Sequence, residues 1–408
     1  MVLDNLIEKE KSIMNRTVKF FQLVSRRGDQ RGVTAILFAI VLTALISIAA
    51  LAVDIGYVMS SKNDLQNIAD AAALAAGRQL GAIYQAMTYD EQQSYVADPT
   101  PLINTALEVA QKNQAAATIQ AGDVKIGVWD GTTKTFTETL AQPDAVKVRA
   151  SREGANAVTT FFAKVFGTNS VDVSADATAA LTGQSTTDPG ELGLPVGISS
   201  YFFLDGNRCN DWIVFSPTND PDSCAGWTSF DYGSNDNNLR NIINEVDGYE
   251  SPATTAGDTI FNFIGGELSN PTFYALLSLF QRNGYDIDIN GDPILDADGN
   301  PMVDATVTDD EVPLFDADTG ERLLYPDDTP RNEHRWPSGV VVYERNDCSN
   351  PNQSILIVGY STILLTDVLS APEKLIRGKI LCDYVDPLES RGGGGEFGVK
   401  GSIPGLVE

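Results

Sequence analysis

One histidine, His334, serves the entire chain, so imidazole general-base catalysis or a histidine-rich metal site has almost no material to work with. Basic residues are also scarce: 28 Lys and Arg stand against 55 Asp and Glu, a net charge of −27. A surface so negative repels phosphate backbones, which excludes nucleic acid as a general partner. The nucleotide-binding and nucleophile motifs are missing too: there is no P-loop, no Gly-x-Gly-x-x-Gly, no Gly-x-Ser-x-Gly elbow and no His-Glu-x-x-His. Carboxylate pairs fit for glycoside hydrolysis are not excluded, but the abundance of acids singles out none. These absences argue for a non-enzymatic protein that needs no cofactor. What is present argues for folded structure. Apolar residues make up 43% of the 408, charged ones only 20%, and the length predicts two to three folding units.

Charge is unevenly placed. Residues 1–31 hold seven bases and four acids, a net of +3, and the remainder carries −30. Between them, Gly32–Val53 (GVTAILFAIVLTALISIAALAV) runs for 22 residues without a charge or a proline. As a helix it spans roughly 33 Å, enough for a hydrocarbon core of about 30 Å. A cleaved secretory signal is the alternative, since Ile48–Val53 offers small residues near the exit. The run is longer than an ordinary signal core. Arg26, Arg27 and Arg31 precede it and Asp54 follows it, which predicts residues 1–31 in the cytoplasm and the bulk outside. The leading segment could line the inner leaflet as an amphipathic helix, unless Met14 is the true start. A second apolar run, Ile355–Leu365, is only 11 residues, β-branched and interrupted by Gly359, and reads as buried strand.

Helix formers continue past Asp54 through residue 87 with no proline, rich in alanine at 69, 71, 72, 73, 75 and 76. Such a thin face allows close packing, within the chain or between helices of a membrane assembly. The segment joins Arg-Gly before the apolar run, Ala-Val-Asp-Ile-Gly at 52–56, Leu65-Gln66-Asn67 and Ala69-Asp70-Ala71-Ala72-Ala73-Leu74-Ala75. In that order and spacing it resembles the N-terminal Tad region of bacterial tight-adherence (Flp) pilus-assembly proteins of the TadE/TadG-like type. The motif positions carrying the resemblance are Gly32, Asp54, Gly56, Gln66, Asn67 and Asp70. The resemblance implies a single-pass inner-membrane anchor, an outward domain, and other pilus-assembly proteins as partners. Relatives processed as prepilins carry a Glu five residues after the cleavage-site Gly. Here that position is Leu37, which predicts an uncleaved anchor.

The expected fold class is α+β: the transmembrane helix continues into a helix packed on a small antiparallel sheet, followed by a mainly β, disulfide-bonded domain. The boundaries read as 1–31 cytoplasmic, 32–53 transmembrane, 54–183 Tad-like, 184–191 linker and 192–408 mainly β. In 54–183 a helix is expected over 101–117, strands at 124–129, 135–139, 145–150 and 171–181, and a short helix at 156–166. Gly-x-Trp-Asp, Ala-Val-x-Val and Phe-Phe-Ala-x-Val-Phe-Gly are similar to the family in this block as well. In 192–408, strands are expected at 196–204, 212–215, 340–344, 355–365 and 378–384, with short helices at 238–246 and 274–280.

All four cysteines, Cys209, Cys224, Cys348 and Cys382, fall in the last region without CxxC spacing. Outside the cytoplasm an even count reads as disulfides, with three connectivities open. Local pairing, Cys209–Cys224 with Cys348–Cys382, is preferred because it closes short loops, at about 3–4 kcal/mol each in the loop-entropy picture. Asp286, Asp288, Asn290 and Asp292 imitate the start of an EF-hand loop and are candidates for calcium. The twelfth position is Ala297 rather than Glu, so the cluster, like those at 296–300 and 316–320, reads first as hairpin turns. The Gly-rich stretch 391–398 has one arginine and reads as a flexible or backbone-packing loop, not an RNA-binding segment.

The sequence therefore predicts a membrane-anchored, non-enzymatic pilus-assembly component. Two alternatives stand beside it: a processed minor pilin-like or tip adhesin, and an anchored hydrolase.

Overall fold

The computed structural model describes residues 30–113, 119–204, 211–215, 224–265, 268–287, 333–349, 351–372 and 374–407. They form two compact units: residues up to 64 with 152–173, and residues 65–151 with 174–407. One helix, α1 (Gln30–Gln85), contributes to both.

In the smaller unit, α1 carries a row of exposed large apolar side chains from Ile36 to Met59. Its other part is an excursion containing β4 (Val158–Thr159) paired antiparallel with β5 (Ser170–Val171). The sequence predicts a helix over 156–166. Instead, a 3-10 turn at Gly154–Asn156 leads into β4, and only Ala163–Phe166 is helical, again as a 3-10 turn. Val158 is buried, and the β-branched Val158-Thr159-Thr160 run favours extended backbone over helix. Gly167 ends the turn with φ at 89°, a left-handed conformation that glycine adopts without strain.

The larger unit begins with the alanine-rich half of α1. Leu65, Ile68, Ala69, Ala72, Ala73, Ala76, Leu80 and Tyr84 are buried there, the i, i+3, i+4 spacing of one helix face. After a turn, α2 (Tyr89–Gln93) opens on a capping box in which Thr88 and Glu91 satisfy each other's backbone N–H. Gln92 is buried and uses its whole amide: it donates to the Tyr84 and Val385 carbonyls and accepts from the Val385 N–H. Helix α3 (Pro99–Asn113) buries Leu102, Ala106 and Ala110.

A five-stranded sheet follows. It is built from β1 (Val124–Asp130), β2 (Thr135–Glu138), β3 (Ala145–Arg152), β6 (Val173–Ala180) and β19 (Gly405–Leu406), in the order β19-β6-β3-β1-β2. The β1–β2 and β1–β3 pairs are antiparallel, as the hairpin signal at Asp130-Gly131 predicts. Helix α1 lies close on this sheet. Its Gly77 packs against Ala179 and Pro404, and Tyr84 Oη donates to the Pro143 carbonyl at 2.9 Å.

The mainly β part contains β7 (Thr186–Thr187), β8 (Val196–Ser199), β9 (Trp212–Phe215), β10 (Ala225–Thr228), β11 (Thr254–Thr255), β12 (Ile260–Ile264), β13 (Tyr285–Ile287), β14 (Glu333–Tyr343), β15 (Ser354–Leu369), β16 (Leu375–Leu381), β17 (Tyr384–Val385) and β18 (Val399–Lys400). Eight of these form one sheet in the order β13-β14-β8-β10-β12-β15-β16-β9, and β14 also pairs with β15. That extra pairing closes β14, β8, β10, β12 and β15 into a ring, which leaves those strands no free edge. Strand β15 contains the 355–365 run, here a buried strand as predicted. It reads as continuously apolar because both faces are covered. Ile355 and Ile357 enter a core with Phe261, Phe263 and Tyr343; Ile363, Leu365 and Val368 enter another with Trp227, Phe273 and Leu276. The second core is capped by α4 (Asp236–Ile243) and α5 (Asn270–Arg282), the two short helices expected there. Each fully buried Phe or Leu contributes about 1.5–3 kcal/mol relative to exposure.

The disulfide pattern corrects the expected one. Cys224, just before β10, pairs with Cys348, beyond the end of β14, across a separation of 124 residues. The preferred local pairing is therefore overturned. Strand β8 lies between β10 and β14, so residues remote in sequence meet in space, and a long loop gains more from closure than a short one. Cys382 is also disulfide-bonded, and Cys209 lies outside the described residues.

Candidate functional site

Along residues 34–53 the side chains of α1 are apolar except for Thr34, Thr43 and Ser47, and all are exposed apart from half-buried Ala50. The hydroxyls there are satisfied within the helix: Thr43 donates to the Ala39 carbonyl at 2.7 Å and Ser47 to the Thr43 carbonyl at 2.8 Å. This is a helix that offers no unpaired hydrogen-bonding group at those positions to an apolar surround.

Asp54, the first charge after the run, is 4% exposed. Its carboxylate accepts three backbone N–H groups, from Phe161 at 2.8 Å, Phe162 at 2.9 Å and Ala163 at 2.6 Å. These are the donors at the start of the 3-10 turn, which a helix leaves without internal partners. Burial works against the charge. The three N–H groups, with Lys164 nearby, outweigh it and hold the carboxyl below the usual carboxylate range. One turn on, Tyr57 meets Phe161 edge-to-face with centroids 5.5 Å apart. The hairpin closes behind the turn, where Thr160 N–H donates to the Asn169 carbonyl at 3.1 Å. Asp54 and Tyr57 thus clamp a loop to the helix one residue past the end of its uncharged run.

The other motif positions do not join this clamp. Gly32 lies in the helix backbone, and a Cβ at Gly56 would meet nothing within 4 Å. Gln66 Nε2 donates to Asp70 Oδ1 at 2.7 Å and to the Asp176 carbonyl at 3.1 Å, tying α1 to β6, while Asn67 is exposed. The motif is one clamp and one helix-to-sheet tie.

Asp286 sits in β13 with its carboxylate on His334 Nδ1 at 2.8 Å. The other ring nitrogen of His334 faces the Phe280 and Asn283 carbonyls at 2.8 and 2.6 Å. Every partner is an acceptor, so both ring nitrogens carry protons. Burial opposes that charge, but the Asp286 carboxylate and both carbonyls raise the imidazole above its ordinary value. The single histidine is held in a structural role by these contacts. Asp288, Asn290 and Asp292 lie outside the described residues, and among the described residues no three His, Cys, Asp or Glu side chains converge on a metal-sized space.

A cleft of about 280 Å3 lies beside β14 and β15, lined by Trp336, Ser338, Tyr360 and Tyr384 with Glu191 and Asp386. The two carboxyls are within hydrogen-bond reach of each other. Gln184 Nε2 donates to Glu191 at 3.1 Å and approaches Asp386 at 3.5 Å. Burial, with the Asp386 charge alongside, pushes Glu191 up to about 7, and burial raises Asp386 too. Such contact is closer than the ~5 Å or more between the carboxyls of glycosidases. Sequence reasoning missed this pair and the loop that Asp54 holds. The apolar Phe161–Phe166 stretch beside a lone Asp was the available signal for the second.

Comparison with known families bears on residues 32–179. The family Tad, described as Flp pilus-assembly TadE/G-like, matches residues 32–79. The family Tad_C, described as Tad-like Flp pilus-assembly, matches residues 85–179. Family-model matches to Tad and Tad_C thus run across residues 32–179. The Tad match covers α1 from the apolar run through the Gln66–Asp70 tie, and Tad_C covers α2, α3 and strands β1 to β6 up to Ala179. These domains tie the chain to Flp pilus assembly, and the families are non-enzymatic as a general kind. No curated protein and no solved structure matches the chain.

Proposed function

We propose that this protein is a membrane-anchored, non-enzymatic component of the Flp pilus-assembly apparatus. The apolar half of α1 crosses the bacterial inner membrane once, uncleaved, with residues 1–31 on the cytoplasmic side. The acidic bulk faces outward: residues 54–183 as the Tad-like part, 192–408 as the part that contacts other pilus-assembly proteins, and 184–191 as the connection between them. The observation that carries this reading is an exposed apolar helix face starting inside the stretch that matches Tad. Bases before the run, acid after it and disulfide-bonded cysteines agree with an outward, oxidising location.

Fractionation with protease protection tests it. The full chain is expected to resist alkaline carbonate extraction from membranes, and protease added to spheroplasts is expected to digest everything beyond Asp54. Release by carbonate, or a protected bulk with a digested N-terminal segment, overturns the topology. Mass spectrometry of the mature N-terminus in the same preparation separates an intact anchor from cleavage after Gly32, which would favour a pilin-like product.

A further inference from the structure

The loop held by Asp54 ends in side chains that nothing in its own unit covers. Phe161 is 60% exposed, Phe162 46%, Val165 82% and Phe166 78%. Between them stands the exposed Lys164. A folded loop that shows four large apolar groups on one short tip is presenting a surface rather than hiding a core. Its position says to what. Asp54 holds the tip by three backbone N–H groups, and Asp54 is the residue next after the 22-residue uncharged run. At about 1.5 Å per residue, the clamp lies within roughly one helical turn of the end of that run. Tyr57, packed on Phe161, adds an aromatic ring with a polar end at the same level. Aromatic rings with a lysine beside them are the composition of the bilayer–water interface, where rings lie among headgroups and lysine reaches outward.

We infer that the tip Phe161–Phe166 is a second membrane contact, seated in the headgroup and upper acyl region of the bilayer that the apolar half of α1 crosses. Asp54 is the positioning residue: it sets the tip's depth and keeps its own charge out of the apolar layer by spending it on backbone donors. The tip is held at the outward end of the exposed apolar run, so lipid is the occupant that covers both. The inference rests on the membrane-spanning reading of residues 32–53.

Depth-resolved fluorescence tests it on the full chain in phosphatidylcholine vesicles. Phe166→Trp places a reporter at the tip, and Leu45→Trp places one in the middle of the run, each read as emission added to that of the four native tryptophans. The expected result is that lipid brominated high on its acyl chains removes the emission added by Phe166→Trp, while aqueous acrylamide does not. If Leu45→Trp is quenched by bromolipid but Phe166→Trp answers only to acrylamide, the span stands and the second contact is overturned. Protection of Phe166→Trp from both quenchers also overturns it, because a protein surface then covers the tip. If Leu45→Trp is not quenched by bromolipid, the spanning reading itself falls and takes the inference with it.

Discussion

Two glycines on one helix sit in opposite surroundings. Gly56, in the smaller unit, has nothing within 4 Å of where a Cβ would stand, whereas a Cβ at Gly81, in the larger unit, would run into the Ser402 carbonyl. The contrast holds for their neighbours. Before residue 60 the helix carries Ile, Leu, Phe, Val and Met on exposed faces, and after 64 it buries four alanines among Leu65, Ile68, Leu80 and Tyr84. Large apolar groups are thus exposed along the first part of α1, whereas the second part buries small and large ones together. The exposed large groups suit an apolar solvent, and the buried alanines let a backbone lie close on a sheet. One hydrophobic sequence is doing two different kinds of packing.

The most direct way to break this contrast is the same substitution at both glycines. Gly81→Ala is expected to destabilise the larger unit by about 1–3 kcal/mol, because the gain in helix propensity is overridden by overpacking against backbone. Gly56→Ala is expected to be neutral or to stabilise by up to about 1 kcal/mol. Urea unfolding in detergent reads both, and equal effects would end the contrast. A smaller, local effect separates the clamp from the packed half. Asp54→Asn is expected to raise hydrogen exchange at the Phe161, Phe162 and Ala163 amides on the order of tenfold, since a charge-assisted acceptor becomes a neutral one, with the unfolding midpoint of the larger unit unchanged. The smallest effect concerns pH. Folding raises Glu191 from 4.5 to about 7, so the folded state binds a proton that the unfolded state releases. Its stabilising contribution is therefore full below about 4.5 and is lost as pH rises through about 7. Glu191→Gln keeps an acceptor for the Asp188 N–H and is expected to flatten that part of the melting-temperature profile between pH 5 and 8.

Much of this architecture was legible in the residues. The uncharged run, the alanine face, the β1–β2 hairpin and the buried strand at 355–365 each carry a local pattern that matches what forms. What escaped reading depends on contacts between distant residues. Cys224 meets Cys348 only because strand order places β8 between their strands, and no spacing rule encodes strand order. The stretch 156–166 scans as helix from its apolar content, yet hairpin pairing and the Asp54 carboxylate impose a turn. Glu191 and Asp386 become a pair only after folding, and nothing near either residue in sequence marks it. The Gly-rich stretch, by contrast, resolved toward backbone packing: a Cβ at Gly394 would strike the Gln184 carbonyl.

Strand β19 has a consequence for how the protein is made. Leu406 and Gly405 zip onto Ala179 and Ala180, so one margin of the five-stranded sheet stays unclothed until the whole ring of the other sheet has been synthesised. Through that interval β6 offers bare amides and carbonyls to any passing extended peptide. A nascent molecule halted within the ring would be sticky along that margin until residues 405–406 arrive.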